Sequence, residues 1–165
     1  LMEEDMALSN MARDLIGQLD PERVANEARA IARWLAGRDD TTDKVGIMGF
    51  CWGGGIVGRA AAKNPDLGAA VVFYGRVPPL AEVPGIEAPM LLHYAGLDTN
   101  INAGVPEFEK ALKDAGVRYR IHLYEGANHA FHNDTSEARY DPAAAKLAFE
   151  RTIAFFKQHL AGAGG

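Results

Sequence analysis

The distribution of apolar and polar residues along the chain predicts strands that alternate with helices. Segments 45–50 and 69–74 are apolar on both faces, as the central strands of a parallel sheet are. Asp-Pro pairs at 20–21 and 141–142 are typical of an N-cap followed by proline at the first helical position. The pattern predicts strands at 45–50, 69–74, 90–94 and 117–124, and helices at 20–37, 52–63, 103–115 and 142–160.

The spacing of apolar residues also assigns a buried face to several of these elements. Such residues recur every three or four positions in a helix, and every second position in a strand with one wet face. The strand at 117–124 alternates in this way, which predicts a position near an edge of the sheet. The faces expected in the core are Val24, Ala28, Ile31 and Leu35; Val117, Tyr119, Ile121 and Leu123; and Phe149, Ile153, Phe156 and Leu160.

Strands that alternate with helices form a mostly parallel sheet with helices on both faces, which is the α/β class. The 165 residues suit a single domain over 1–165, with a frayed tail at 161–165. Strand 45–50 is apolar on both sides, and such a strand at an open edge would invite aggregation. We therefore expect a segment preceding Leu1 or another chain, as in a homo-oligomer, to pack against it.

Composition and charge exclude several classes of protein. Apolar residues make up 48% and charged residues 24%, as in an average globular protein, and the net charge of −5 is spread without long blocks. Nucleic acid is therefore not an expected partner. The longest apolar stretch is far shorter than the ~18 residues of a membrane span, and the first ten residues lack the features of a targeting signal. One cysteine cannot form an internal disulfide, so we expect a cytoplasmic protein.

The junction between the strand at 45–50 and the following helix reads Gly49-Phe50-Cys51-Trp52-Gly53. A nucleophile at such a tight turn needs small residues two positions away on either side, and Gly49 and Gly53 meet this need. The turn would expose Cys51 at a helix N-terminus, which favours thiolate, and would direct the backbone N–H of Trp52 toward an oxyanion. A lone cysteine is also common as a small buried hydrophobe, so the pentapeptide alone leaves both interpretations open.

The same glycine-rich turn does not fit a dinucleotide-binding fingerprint. That fingerprint requires G-x-G-x-x-G, and Cys51 occupies the second glycine position, where the backbone must approach a pyrophosphate closely.

Two further side chains follow the ends of later predicted strands. Asp98 lies just beyond the strand at 90–94, and His129 lies just beyond the strand at 117–124. The carboxyl ends of parallel strands share one edge of the sheet, so Cys51, Asp98 and His129 can converge there. Their order along the chain, nucleophile, acid and histidine, is the order that α/β-hydrolases use.

These residues carry a resemblance to the dienelactone hydrolases. It rests on KVGIMGFCWGGG (44–55), HYAGLD (93–98) and YEGANHAFHN (124–133), and it extends over about residues 20–160. The resemblance implies an α/β-hydrolase fold with Cys51 as nucleophile, His129 as general base and Asp98 as the acid that orients it. It also implies the N–H of Trp52 as one oxyanion donor.

The resemblance departs from the family pattern at the N-terminus. Family members carry additional N-terminal strands, a glutamate near the resting cysteine, a second oxyanion N–H and an arginine that contacts the substrate carboxylate. None of these has a counterpart in residues 1–165. The chain therefore resembles the C-terminal two-thirds of a family member, without the N-terminal strands. The loss of one oxyanion donor can lower a rate by about 10²- to 10³-fold.

The resemblance implies hydrolysis of a small unsaturated lactone of the dienelactone type through a thioester, with no metal or organic cofactor. The alternatives are a broader carboxylesterase or thioesterase with the same triad, and a non-catalytic module that needs a partner segment. A metal site built from His129, His132 and Asp134 is disfavoured, because no thiolate and no helical i, i+4 spacing supports it. Candidate substrate contacts beside the triad are Arg76, Tyr94, Asn100, Asn102 and Phe131.

Overall fold

A computed structural model describes residues 2–161 of the chain, with side chains from residue 7 onward. Within that range the strands are β1 (Gly46–Phe50), β2 (Ala69–Phe73), β3 (Met90–Ala95) and β4 (Tyr119–Tyr124). The helices are α1 (Met2–Gly17), α2 (Pro21–Ala36), α3 (Trp52–Lys63), α4 (Thr99–Asn102), α5 (Val105–Asp114) and α6 (Pro142–Leu160), and a 3-10 helix covers Leu80–Gly85. Apart from Ala161, the tail expected to fray lies outside the described residues.

The four strands form one parallel sheet in the order β1-β2-β3-β4, as the alternation of strands and helices predicts. The register aligns Phe50 with Phe73, Phe73 with His93, and His93 with His122 across the sheet. The residues that follow β1, β3 and β4 therefore meet at one edge. Neither edge strand is hidden: Met48 on β1 and Leu123 on β4 are exposed.

Helices cover both faces of the sheet. On one face, α2, α3, α5 and the 3-10 helix pack over a core that includes Val72 and Leu92. On the other face, α6 packs over Val71, Leu91 and Phe73. The predicted helix at 103–115 corresponds to α5, whereas α4, which precedes it, and α1 were not predicted. Within residues 2–161 no helix is both long and apolar enough to cross a membrane.

The buried faces of α6 and α2 match the predicted faces only in part. Phe156 and Leu160 of α6 and Val24 and Ala28 of α2 pack against core clusters as expected. In α6 the residues in contact with the sheet are Ala145, Ala148, Thr152 and Phe155, whereas Phe149 and Ile153 are exposed. In α2 the buried residues are Ala25 and Ala32, while Ile31 is exposed. Small side chains let α6 approach the sheet closely and let α2 approach α3 closely, while Phe149 and Ile31 remain on outward-facing positions.

The alternation predicted for β4 also fails at its carboxyl end. Tyr124, expected on the wet face, is buried, and Leu123, expected in the core, is 56% exposed. Tyr124 faces the layer of α6 and packs in the same cluster as Phe131 and Phe155, whereas Leu123 faces the opposite side, where the core cluster does not include it.

A buried polar chain connects α6 to β3 and β4. The hydroxyl of Thr152 donates to the carbonyl of Ala148, so it accepts from Nε2–H of His93 at 3.1 Å. Nδ1 of His93 then accepts from the hydroxyl of Tyr124 at 2.9 Å. Burial lowers the pKa of His93 to about 3, so the ring stays neutral and fills both of its hydrogen-bonding positions.

β1 is an edge strand, although its sequence is typical of a central strand. Among residues 2–161 no strand pairs with its outer side, and Met48 and Phe50 are 36% and 39% exposed. All side chains described in the segment 7–20 are also exposed. The expected cover for this edge is therefore not supplied by the described part of the chain.

The tight turn from β1 into α3 requires glycine at only one of the two positions predicted. A Cβ on Gly49 would lie 2.4 Å from the carbonyl oxygen of Gly53, whereas a Cβ on Gly53 would meet nothing within 4 Å. The second close approach is instead between Gly54 and Gly75, where a Cβ on Gly75 would lie 2.4 Å from the carbonyl carbon of Gly54. The expectation that Gly53 is sterically required is thus wrong.

We predict that alanine substitutions at Gly49 and Gly53 have opposite effects on stability. Gly49→Ala forces a methyl group into a backbone carbonyl and should lower the free energy of unfolding by at least about 2 kcal/mol. Gly53→Ala adds a methyl group in open space within a helix and should raise it by about 0.5 to 1 kcal/mol. Urea unfolding of both variants measures the difference, and equal destabilisation by the two substitutions would contradict this account of the turn.

Candidate active site

Cys51 lies at the sharp turn between β1 and α3. Its φ of 53° is in the left-handed region, which is uncommon for a residue with a side chain. The backbone N–H of Cys51 donates to the carbonyl of Phe73 at 3.0 Å, which fixes the turn against β2. The side chain is exposed, so Cys51 is not the small buried hydrophobe of the alternative interpretation.

Cys51, His129 and Asp98 are hydrogen-bonded in series. Nε2 of His129 lies 3.0 Å from Sγ of Cys51, and Nδ1 of the same ring is hydrogen-bonded to a carboxylate oxygen of Asp98. The Asp98 side chain is 9% exposed and that of His129 is 30% exposed. The three residues predicted to converge from separate strand ends are therefore in direct contact.

Asp98 is held by the short helix α4, which it caps. Its second carboxylate oxygen accepts from the N–H of Ile101 at 3.2 Å. Asn102, expected as a substrate contact, instead donates its side-chain amide to the carbonyl of Ala95 at 2.8 Å. The bond from Ile101 orients the carboxylate that faces His129, and the bond from Asn102 ties α4 to the end of β3.

Backbone bonds also join the loops that carry Asp98 and His129. The N–H of Gly96 donates to the carbonyl of Tyr124 at 2.8 Å, and the N–H of Leu97 donates to the carbonyl of Ala127 at 3.0 Å. A Cβ on Gly96 would lie 2.9 Å from that carbonyl oxygen of Tyr124, so the two loops meet too closely for any other residue at position 96. This contact keeps the histidine and the carboxylate at a fixed separation.

The hydrogen bond between Cys51 and His129 shifts the pKa of both groups. It lowers the pKa of the Cys51 thiol from its ordinary value of 9.0, while partial burial acts in the opposite direction. A hydrogen bond to the thiolate from the backbone N–H of Trp52 lowers it further. The same partnership with Cys51, followed by that with Asp98, raises the pKa of His129 above 6.5. Both shifts favour a thiolate paired with an imidazolium.

A cavity of about 820 Å³ opens above Cys51 and His129. Two of the predicted substrate contacts, Arg76 and Asn100, line it. Tyr94 and Phe131 do not: Tyr94 is 1% exposed within the core under α5, and Phe131 is fully buried in the cluster under α6. The remaining wall is formed by Pro21, Trp52, Gly55, Ile56, Arg59, Tyr74, Val77, Pro78, Pro79, Leu80, Asp98 and Ile101.

Two polar residues of the cavity were missed from the sequence. Tyr74 directly follows β2, so the rule that located Asp98 and His129 beyond their strand ends could have found it. Arg59 lies inside α3, and its guanidinium is within 3.4 Å of a carboxylate oxygen of Glu82 and 3.7 Å of one from Glu22. The sequence gives no signal for this position. Arg59 reaches the cavity wall because α3 packs beside α2 and the 3-10 helix, which carry its two partners.

His132 is separate from the triad. Its ring packs between Phe50 and Phe149, at centroid distances of 5.4 and 6.0 Å. Among the residues described, no group of three or more His, Cys, Asp or Glu side chains is arranged to hold a metal ion.

Known proteins are similar to this chain over most of its length. The model of the dienelactone hydrolase family matches residues 3–160. A candidate carboxymethylenebutenolidase of Escherichia coli O157:H7 is 31% identical over 156 residues, which cover 88% of this chain and 57% of that protein. Another from Saccharolobus solfataricus is 40% identical over 116 residues, or 70% of this chain and 44% of that protein.

Solved structures agree with the sequence matches. The crystal structure of a candidate dienelactone hydrolase from Klebsiella pneumoniae is 32% identical, with a TM-score of 0.77 over 87% of this chain and 64% of that one. That of a dienelactone hydrolase from Anabaena variabilis is 27% identical, with a TM-score of 0.72 over 96% of this chain and 69% of that one. The chain spans about half of the two curated relatives. With an α/β-hydrolase fold and a family match over 3–160, it belongs to the dienelactone hydrolase family.

Proposed function

We propose that this chain carries the catalytic centre of a hydrolase that opens small unsaturated lactones of the dienelactone type through a thioester on Cys51. The hydrogen-bonded series from Cys51 through His129 to Asp98, beside an open cavity, is the observation that carries the proposal. The family supports the choice of an ester bond as substrate. A Bradyrhizobium relative that is 31% identical over 97% of this chain is a candidate lactonase, which supports the choice of a lactone.

In the first half of the proposed reaction, the Cys51 thiolate attacks the lactone carbonyl. The carbonyl oxygen gains negative charge and accepts a hydrogen bond from the N–H of Trp52. The ring carbon–oxygen bond then breaks, the electron pair leaves with the enolate oxygen, and a thioester forms on Cys51. The proton carried by His129 neutralises that leaving oxygen.

In the second half, water hydrolyses the thioester. Neutral His129, oriented by Asp98 through Nδ1, removes a proton from the water, which attacks the thioester carbonyl. The bond between the acyl carbon and sulfur breaks, the thiolate re-forms beside the imidazolium, and the carboxylic acid product leaves. No group outside the chain, the lactone and water is needed to balance these steps.

We further propose that Arg76 and Asn100 contact the substrate. Arg76 is exposed on the cavity wall, and it forms no ion pair with the side chains that the structure describes, those of residues 7–161. Arg59, the other arginine of the cavity, is by contrast neutralised by Glu22 and Glu82. An unpaired guanidinium near the nucleophile suits a substrate that carries a carboxylate.

The exposed edge of β1 favours a further protein segment packed against it in the active protein. Phe50 on β1 and Phe149 and Ile153 on α6 are all exposed, and the outer side of β1 has no strand partner in the described chain. We propose that a further strand-forming segment, or a second copy of the chain, covers this surface in the active protein. Cys51 must remain a free thiol for the reaction, which fits a reducing compartment such as the cytoplasm.

The proposed activity predicts a specific pattern of loss among three variants. Cys51→Ala should lower kcat for a dienelactone by about 10³-fold or more, because no thioester can form. His129→Asn should cause a comparable loss, whereas the matched variant His132→Asn should retain activity. Rates are measured with a dienelactone, a simple alkyl ester and an acyl thioester, and sedimentation velocity at the same protein concentrations gives the oligomeric state.

Each outcome of that assay selects one of the alternatives. Preference for alkyl esters or thioesters over the lactone would replace the substrate with that of a broader esterase. Activity of the 17.8 kDa monomer would show that no cover over β1 is needed. Full activity of Cys51→Ala would overturn the mechanism, and no activity on any ester would favour the non-catalytic module.

The pKa shifts predict an unusual pH dependence for the alkylation of Cys51. The thiol pKa is lowered from 9.0 chiefly by His129, so thiolate persists as the pH falls below that value. The midpoint of the iodoacetamide rate profile should therefore lie below pH 9.0 in the unmodified chain and move upward in His129→Asn. The His132→Asn variant should keep the midpoint of the unmodified chain, and identical midpoints in all three proteins would contradict the coupling.

We predict that substitution of Arg76 weakens the binding of only those substrates that carry a carboxylate. Arg76→Gln should raise KM by about 10-fold for a lactone that carries a carboxylate, equivalent to about 1.4 kcal/mol, with little change in kcat. The same substitution should leave KM unchanged for the methyl ester of that lactone. Arg139→Gln, which removes an exposed arginine away from the cavity, is the matched control. Equal effects on the charged and neutral lactones would show that Arg76 does not read the carboxylate.

A further inference from the structure

Tyr74 is a polar residue of the cavity that the proposed mechanism does not use. It directly follows β2 and lines the same cavity as Cys51 and His129. Its ring centroid lies 5.0 Å from that of His129. Only 2% of the residue is exposed, so the side chain forms part of the wall and does not extend into solvent.

The backbone of Tyr74 is in a conformation that tyrosine rarely adopts. Its φ of 39° lies in the left-handed region. The conformation is fixed by its surroundings, since the N–H of Tyr74 donates to the carbonyl of His93 at 2.7 Å and the ring packs edge-on against Phe131 at 5.3 Å. Strained residues of this kind persist where neighbouring structure holds them, and they are concentrated at functional sites.

The hydroxyl group of Tyr74 forms no hydrogen bond with the described side chains, unlike the hydroxyl groups of two other tyrosines. The hydroxyl of Tyr119 donates to Glu109 at 2.9 Å, and that of Tyr124 is bonded to His93 and Arg151. Among the side chains described, those of residues 7–161, none forms a hydrogen bond with the hydroxyl of Tyr74, and this oxygen is not among the polar atoms that are both unpartnered and sealed from solvent. It is therefore available to a molecule in the cavity.

The phenol also stays protonated beside the nucleophile. Burial raises the pKa of Tyr74 above its ordinary value, and the negative charge of the Cys51 thiolate raises it further. The ring of Tyr74 lies 5.0 Å from that of His129, which is hydrogen-bonded to the sulfur, and Tyr74, His129 and Cys51 line the same cavity. Tyr74 is thus a neutral hydrogen-bond donor at the reacting centre over the whole working range of pH.

We infer that Tyr74 is a further catalytic residue, whose hydroxyl donates a hydrogen bond to the leaving oxygen of the ester as its bond to the acyl carbon breaks. The inference rests on the proposed lactone hydrolysis. Tyr74 packs against His129, which delivers the proton to that same oxygen, whereas the N–H of Trp52 acts on the carbonyl oxygen. Tyr74 keeps its own proton throughout, and the hydrogen bond strengthens as negative charge develops on the leaving group.

The test is the dependence of Tyr74→Phe on the basicity of the leaving group. For esters of poorly acidic alcohols, the substitution should lower kcat by about 10- to 100-fold with little change in KM, because the hydrogen bond is made chiefly in the transition state. For p-nitrophenyl esters, whose leaving group needs little stabilisation, the loss should be less than about 3-fold. Tyr119→Phe, which removes the hydroxyl of a tyrosine far from the cavity, should leave both series unchanged.

Thermal unfolding of Tyr74→Phe and its rate of Cys51 alkylation are measured in parallel. A folded variant with normal alkylation and a loss confined to basic leaving groups supports the inference. A loss that is the same for every leaving group, or no loss at all, would overturn it while leaving the proposed hydrolysis in place. If the unmodified chain hydrolysed none of these esters, the proposed function and the role of Tyr74 would fall together.

Discussion

Parallel pairing of the strands is the constraint on which the candidate site depends. Because β1, β2, β3 and β4 run in the same direction and in register, the residues that follow them emerge at one edge of the sheet. A nucleophile, a carboxylate and an imidazole from distant parts of the chain can then meet without any dedicated local motif joining them. The backbone bonds between the loops after β3 and β4 convert this proximity into a fixed geometry.

Residues with strained backbone conformations lie at the same edge of the sheet. Within the described residues, the non-glycine residues with positive φ are Cys51, Tyr74 and Ala130. Two of them line the cavity and the third follows His129. Such conformations are unfavourable locally and survive only where the sheet, α3 and the aromatic cluster around Phe131 hold them. Strain is thus concentrated where side chains must turn from the sheet toward a ligand.

The sequence predicts the elements better than it predicts their faces. Strand and helix positions follow from apolar runs and from Asp-Pro caps, and the approach of Asp98 and His129 to Cys51 follows from strand order. The faces of α2 and α6 follow only in part. Val24 and Phe156 pack against the core as expected, but alanines take the fully buried positions and leave Ile31 and Phe149 exposed, which only the assembled layers reveal.

The pattern of apolar and polar residues also does not predict which loop side chains line the cavity. Phe131 and Tyr74 are both almost fully buried, yet only Tyr74 lines the cavity, and residue type does not distinguish these two positions. Gly53 shows the same limit: its place in the pentapeptide is symmetrical with that of Gly49, yet only one of the two faces a carbonyl.

The single sulfhydryl has a consequence for the behaviour of the chain under oxidative stress. Cys51 is exposed, is biased toward thiolate and is the sole cysteine among the 165 residues. Peroxide converts such a thiolate to a sulfenic acid, and a neighbouring thiol normally traps that species as a disulfide before it is lost to irreversible oxidation. These 165 residues hold no second thiol, so a thiol that reduces the oxidised Cys51 must come from outside them.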